Sequence, residues 1–159
     1  MSILKTGDKA PDFTLPTDGD GEITLSGFKG QKVVLYFYPK DDTPGCTKES
    51  CSFNENLTKL NKINVQVIGV SKCSVKKHDK FKAKYDLKFP LASDENSDVC
   101  ERYGVFKEKS MYGKTYMGIE RSTFLIDENG KIEHAWYNVK VPGHVEAVME
   151  TIKAHAKAA

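Results

Sequence analysis

Val33-Val34-Leu35-Tyr36-Phe37-Tyr38-Pro39-Lys40-Asp41-Asp42-Thr43-Pro44-Gly45-Cys46-Thr47-Lys48-Glu49-Ser50-Cys51 joins an unbroken apolar run to a polar, helix-forming one. The run up to Tyr38 has no alternation, which marks a central strand covered on both faces. Pro39 lacks an N–H for the ladder and ends it. Pro44 suits a first helical turn, and Thr43 before it suits a cap. From there Cys46, Ser50, Phe53, Leu57 and Leu60 recur at helical spacing on one face, with Cys51 off that face. The stretch therefore predicts strand, turn and helix, with a thiol in the first turn of the helix. A helix start favours a thiolate, because its N–H groups lack partners and its dipole end is positive.

Working outward, Val65-Gln66-Val67-Ile68-Gly69-Val70-Ser71 reads as a second buried strand, and Val75, His78, Phe81 and Tyr85 mark a further amphipathic helix. Upstream, Asp12–Leu15 and Glu22–Leu25 flank Asp18-Gly19-Asp20-Gly21, the pattern of an N-terminal β-hairpin. A short helix is expected from Asp94 to Tyr103, ended by Gly104. Downstream, Ser122–Asp127 and Lys131–Tyr137 are expected to pair through an Asn129-Gly130 turn. Val145, Val148, Met149 and Ile152 outline a last helix. The order β-β-β-α-β-α-α-β-β-α predicts an α/β fold with a central mixed sheet and helices on both faces. With no repeat, linker or shift of composition, residues 1–159 read as one domain. A right-handed crossover places the Cys46 helix start at the carboxyl edge of the sheet.

The chain has 159 residues and a formal charge of +2, from 24 basic and 22 acidic residues, which argues against an obligatory polyanionic partner. No apolar run approaches the roughly 20 residues of a membrane span. Met1–Asp8 lacks the apolar core of a secretory signal, so a cytoplasmic location is expected. In that compartment four cysteines point to catalysis or metal binding rather than to a disulfide scaffold. Only Arg102 and Arg121 are arginine in this lysine-rich chain. Arg121 directly precedes a buried strand, where its planar, permanently charged fork can be held rigidly. Cys46 and Cys51 are five residues apart; in an intact helix their Cα atoms lie about 8.7 Å apart, and a disulfide needs no more than about 7 Å. If both thiols sit in helix, a bond between them requires local unwinding.

The residues Pro39, Thr43, Cys46 and Glu49 in this spacing resemble the active-site signature of the peroxiredoxins. The wider segment Phe37–Glu49, with Gly7–Phe13, Val67–Ser71 and Arg121–Asp127, resembles the bacterioferritin comigratory protein (PrxQ) subfamily. The resemblance implies a thioredoxin-like fold and a thiol-dependent peroxidase acting on hydrogen peroxide and organic hydroperoxides, with no metal, haem or flavin. It implies that Cys46 is the peroxidatic cysteine and Cys51 the resolving one. Thr43 would then hydrogen-bond the peroxide, Pro39 shield the thiolate, Arg121 stabilise the charge of the O–O displacement and Glu49 hold the arginine. An intramolecular Cys46–Cys51 disulfide would be recycled by thioredoxin or a similar thiol. The chain lacks the C-terminal Tyr-Phe extension of typical dimeric peroxiredoxins, so a monomer relatively resistant to overoxidation is expected.

Competing readings carry less. A thioredoxin-like reductase wants Cys-x-x-Cys, and zinc held by Cys46, Cys51, Cys73 and His78 lacks the usual knuckle spacing. The lysines from Lys72 to Lys88 spread around their helix as a solvated face rather than a nucleic-acid surface. Cys73, where relatives usually carry aspartate, reads first as a chance substitution, with an alternative thiol or a glutathionylation site as the other readings, and Cys100 and His78 read as packing.

Overall fold

The computed structural model describes residues 4–158. The elements are β1 (Thr14–Thr17), β2 (Gly21–Thr24), β3 (Lys32–Phe37), α1 (Pro44–Glu55), α2 (Leu57–Lys62), β4 (Val65–Ser71), α3 (Val75–Tyr85), β5 (Leu91–Ser93), α4 (Val99–Arg102), β6 (Phe106–Met111), β7 (Lys114–Ile119), β8 (Ser122–Ile126), β9 (Ile132–Trp136) and α5 (His144–Ala158). Seven strands form one sheet in the order β2-β1-β5-β4-β3-β8-β9, and β6 and β7 form a separate hairpin. β3, β4 and β5 are parallel; β8, β9, β1 and β2 join antiparallel at the two sides. This is the mixed, helix-flanked sheet of a thioredoxin-like fold with an N-terminal hairpin at its edge.

The step from β3 through α1 and α2 to β4, and from β4 through α3 to β5, runs in one direction across the sheet. Right-handed crossovers moving the same way put their helices on the same face. β3 shows the division: Val34, Tyr36 and Tyr38 pack with Phe53, Leu57, Leu60, Phe81, Val145 and Val148. Val33, Leu35 and Phe37 face Phe13, Leu25, Val99, Tyr103 and Phe124 on the other side. Helices α1, α2, α3 and α5 thus share one face, while α4 and the N-terminal segment cover the other. Gly69 lets the Tyr36 ring lie against β4, since a Cβ there would meet that ring at 2.9 Å.

Several elements depart from the expected order. The first helix breaks at Asn56, whose φ of −99° and ψ of 2° are not helical, so the Cys46–Leu60 face spans two helices. The helix expected from Asp94 begins only at Val99, because the Asp94 carboxylate accepts the N–H groups of Val99 and Cys100 at 3.1 and 2.8 Å. β5 was not expected, and neither was the β6–β7 hairpin. That hairpin turns through Tyr112 and Gly113, both at positive φ (53° and 77°), the geometry that matches the twist of two joined strands. In the β8–β9 connection only Gly130 has positive φ, at 82°. The Gly130 N–H donates to the Asp127 carbonyl at 3.1 Å, so this is a three-residue loop rather than a two-residue turn.

Candidate active site

The site forms where β3 ends. Tyr38 is still laddered to β4, its N–H donating to Val70 at 3.1 Å; Pro39 then turns the chain outward. The loop passes through Asp42 at a φ of 58° and reaches Thr43 in extended conformation, immediately before α1. Thr43 occupies the cap position without capping. Its hydroxyl donates backward to the Lys40 carbonyl at 3.0 Å, which leaves the oxygen lone pairs available as acceptors. Cys46 is the third helical residue, inside the turn whose N–H groups lack helical acceptors. It is 1% exposed.

Arg121, between β7 and β8, reaches this turn from across the sheet edge. Its Nη2 donates to Cys46 Sγ at 3.2 Å and its Nη1 to Glu49 Oε1 at 2.7 Å. The guanidinium therefore bridges two residues one helical turn apart. Gly45 gives it passage, since a Cβ on Gly45 would stand 3.2 Å from Nη2. Glu49 is fully buried, and its Oε2 has no hydrogen-bond partner among the described residues. Burial pushes the Glu49 carboxyl up to about 7, with Arg121 pulling it back. Burial also works against the Arg121 charge, but the Glu49 carboxylate and the Cys46 sulfur outweigh it, so the guanidinium is held above its ordinary value. Below the helix, Tyr36 and Ser50 share a buried hydrogen bond of 2.7 Å.

A depression of about 400 Å³ opens beside Arg121, lined by Pro39, Lys107, Lys109, Glu120 and Asn138. Pro39 forms part of its wall. Lys109 was not singled out from sequence. It lies on β6 and donates to the Ile119 carbonyl, and burial together with Arg121 lowers its pKa. Its distance from Cys46 along the chain and its place in a charged, irregular stretch left no signal. Another cavity, of about 110 Å³ between Leu25, Phe28 and Ile126, contains none of the four cysteines.

All four cysteines are free thiols. Cys51 is in the same intact helix as Cys46 but half-buried, and burial with the nearby Glu55 pushes its thiol up. The helix places the two Cα atoms about 8.7 Å apart, too far for a bond without unwinding. Cys100 is buried beside Asp94, and burial followed by that carboxylate pushes its thiol far up. Cys73 is buried under the loop, where its Sγ accepts the Asp41 N–H at 3.4 Å. Among the described residues, no three His, Cys, Asp or Glu side chains converge as metal ligands, and no helix is long and apolar enough to cross a membrane. Arg102 has a structural place, bonding Asp98 at 3.1 Å and the Asp12 carbonyl at 2.7 Å.

Known proteins resemble this chain along nearly its whole length. The AhpC/TSA family matches residues 6–135. A putative Bcp peroxiredoxin of Coxiella burnetii is 57% identical over 94% of this chain and 98% of its own length. Among solved structures, a cysteine-to-serine mutant of PrxQ from Xylella fastidiosa superposes with a TM-score of 0.92 at 46% identity, covering 98% of this chain and 99% of that one. The bacterioferritin comigratory protein of Xanthomonas campestris, described for its alkyl peroxide reduction activity, gives 0.88 at 45% identity, covering 98% and 99%. A buried thiol at a helix start, an arginine on its sulfur and likeness along nearly the whole chain lead to one conclusion: this chain belongs to the AhpC/TSA family and, within it, to the Bcp or PrxQ peroxiredoxins, which are thiol-dependent peroxidases.

Proposed function

We propose that Cys46 is the peroxidatic thiol and that Arg121 is the group that makes it effective. The observation that carries this reading is the Arg121 fork, bonded at once to Cys46 Sγ and to Glu49. The Cys46 thiolate attacks one peroxide oxygen, the O–O bond breaks, and water or an alcohol leaves with the second oxygen. Sulfur gains the oxygen as a sulfenic acid and is oxidised by two electrons. Negative charge moves from sulfur to the leaving oxygen, and a fixed guanidinium beside both stabilises the transition state more than the ground state. Glu49 fixes the orientation of that guanidinium. The Thr43 oxygen accepts the peroxide O–H, and Pro39, in the wall of the depression, limits water. No cofactor enters these steps.

Cys51 then attacks the sulfenic sulfur, water leaves, and a Cys46–Cys51 disulfide forms once the first turns of α1 unwind. A thioredoxin or similar dithiol returns the two electrons by exchange. Hydrogen peroxide and alkyl hydroperoxides are the proposed substrates; the relative described for alkyl peroxide reduction supports the second class. We further propose that a single domain working as a monomer carries the activity, in the reducing cytoplasm where four free thiols persist. Sedimentation of the reduced protein as a stable dimer would refute the monomer.

The test is a peptide map after one equivalent of hydrogen peroxide is added to fully reduced protein. A Cys46–Cys51 disulfide is expected. A Cys46–Cys73 or Cys46–Cys100 bond would reassign the resolving thiol, and an unmodified Cys46 would overturn the mechanism. Arg121→Leu should slow Cys46 oxidation by roughly a hundredfold or more, the usual cost of removing a fixed transition-state donor.

A further inference from the structure

A buried polar cluster lies directly behind the active-site loop, on residues the mechanism leaves unused. The Asp41 carboxylate accepts the Tyr38 hydroxyl at 2.5 Å through Oδ1 and faces His78 Nδ1 at 2.6 Å through Oδ2. His78 is fully buried on α3, and its Nε2 lies 3.1 Å from the Ala92 carbonyl on β5. That carbonyl only accepts, so Nε2 carries a hydrogen, and one further proton lies between Nδ1 and Asp41. Tyr38 remains a donor, because burial holds its hydroxyl well above the ordinary phenol range. The Asp41 N–H is also used, on Cys73 Sγ, and Ser93 bonds the Cys73 carbonyl at 2.6 Å. The next residue, Asp42, is tied to the same helix at the surface, to Lys84 at 2.9 Å and Tyr85 at 2.8 Å. The loop that carries Pro39 and Thr43 is thus bonded to β3, α3 and the β4–α3 connection at once.

On its other side the loop is tied to α1, the Thr47 N–H donating to the Thr43 carbonyl at 2.8 Å. Any unwinding that brings Cys46 to Cys51 therefore pulls on a segment whose far end is pinned. Contacts made in the closed state and lost in the open one bias the balance between them by the free energy of those contacts. Accepting Cys46 as the peroxidatic and Cys51 as the resolving thiol, we propose that the Asp41–His78 pair is a latch on the closed, reduced conformation, and that it sets how Cys46 sulfenic acid divides between two fates. One fate is attack by Cys51, which forms the S–S bond and releases water. The other is reaction with a second hydrogen peroxide, which adds an oxygen to sulfur, releases water and leaves a sulfinic acid. The latch acts on the first alone, because only that step needs the helix to open. His78 and Asp41 are positioning residues and touch no substrate.

The assay mixes reduced protein with graded hydrogen peroxide in the absence of reductant. Disulfide and sulfinic acid at Cys46 are counted by mass spectrometry, and the peroxide concentration that divides them equally measures resolution against overoxidation. Asp41→Ala with His78→Leu removes both partners and leaves no orphaned charge, so the fold survives. It should raise that concentration roughly tenfold, the effect of losing these buried hydrogen bonds from the closed state only. Asp41→Asn keeps every bond with a neutral His78, its amide donating to Nδ1, and should stay within about twofold of the wild type. A double variant within about twofold of the wild type would overturn the latch, as would an Asp41→Asn protein matching the double variant. A measurement on the unaltered chain stands beside these. The Asp41 amide should exchange slowly in the reduced protein and at least about tenfold faster in the disulfide form. Equal protection in both would mean that the latch never opens, and would overturn it. Failure of the wild type to modify Cys46 at all would instead refute the peroxidatic assignment.

Discussion

Replacing Glu49 by Gln is the most direct probe of the charge arrangement under Cys46. The carboxyl is fully buried, one oxygen accepts from Arg121 at 2.7 Å and the other has no partner among the described residues. Burial, opposed in part by Arg121, moves it from 4.5 to about 7. Its folded value lies above its unfolded one, so the folded chain holds the proton longer. The stabilisation is full below about 4.5 and declines as pH rises through 7. A displacement of that size is worth about 3 kcal/mol. The assay is urea denaturation of reduced protein from pH 4 to 8, in a Cys46→Ser background that removes the reactive thiol, with and without Glu49→Gln. The stability of the protein that keeps Glu49, relative to the Glu49→Gln variant, should fall by about 3 kcal/mol across that window. Parallel curves would refute the claim that burial outweighs the arginine. A difference of opposite slope would show that Arg121 dominates and holds Glu49 ionised.

Three further outcomes follow from other contacts. Gly45→Ala should keep or raise stability, by up to about 1 kcal/mol from helix propensity, while slowing Cys46 oxidation about tenfold because the new Cβ crowds Arg121 Nη2; stopped-flow peroxide kinetics beside a thermal melt would show the split. Phe53→Ala should cost about 3–5 kcal/mol in urea denaturation, since this fully buried ring lies tilted against Tyr36 with centroids 4.8 Å apart and edges against His144. Burial, aided by Arg121, holds His144 down at about 4, from an ordinary 6.5, while it bonds Thr123 at 2.8 Å. Its folded value lies below its unfolded one, so its contribution is present above 6.5 and is lost as pH falls toward 4. This slope opposes that of Glu49, and His144→Gln should remove it from the same urea series.

What the sequence disclosed, and what it hid, divides by the range of the interaction. The strand before Pro39, the helix from Pro44 and the face shared by Cys46, Ser50 and Phe53 are written in neighbouring residues. So is the N-terminal hairpin, with Asp18-Gly19-Asp20-Gly21 at its turn. β6 and β7 escaped because Lys107-Glu108-Lys109-Ser110 shows no apolar alternation; the hairpin depends on its Tyr112-Gly113 turn and stands largely in solvent. β5 is only three residues long, and all three are buried. Resemblance to relatives brought Arg121 to Cys46 across 75 residues, a contact that no local pattern announces. His78 read as packing for the same reason. Its partner Asp41 lies 37 residues away, in a loop whose acidic pair looks merely soluble. Buried hydrogen-bonded pairs between distant segments leave no periodicity behind them.

On the proposed mechanism, the chemistry at Cys46 also prepares the opening of its helix. In the reduced state Arg121 bonds the sulfur of the first turn and the carboxyl of the next, so the guanidinium ties together the segment that must unwind. With a thiolate, the bond to sulfur is charge-assisted, and such bonds are roughly twice as strong as neutral ones. Conversion to a neutral sulfenic acid removes that charge while Glu49 still holds the other arm of the arginine. The tie therefore weakens at Cys46 first, the end from which Cys51 must be approached. Further along, Phe53 and Leu60 remain fully buried, and nothing in the reaction changes their contacts. Unwinding should accordingly start at Pro44 and end before Phe53, which keeps the core intact while two cysteines with Cα atoms about 8.7 Å apart are brought within bonding range.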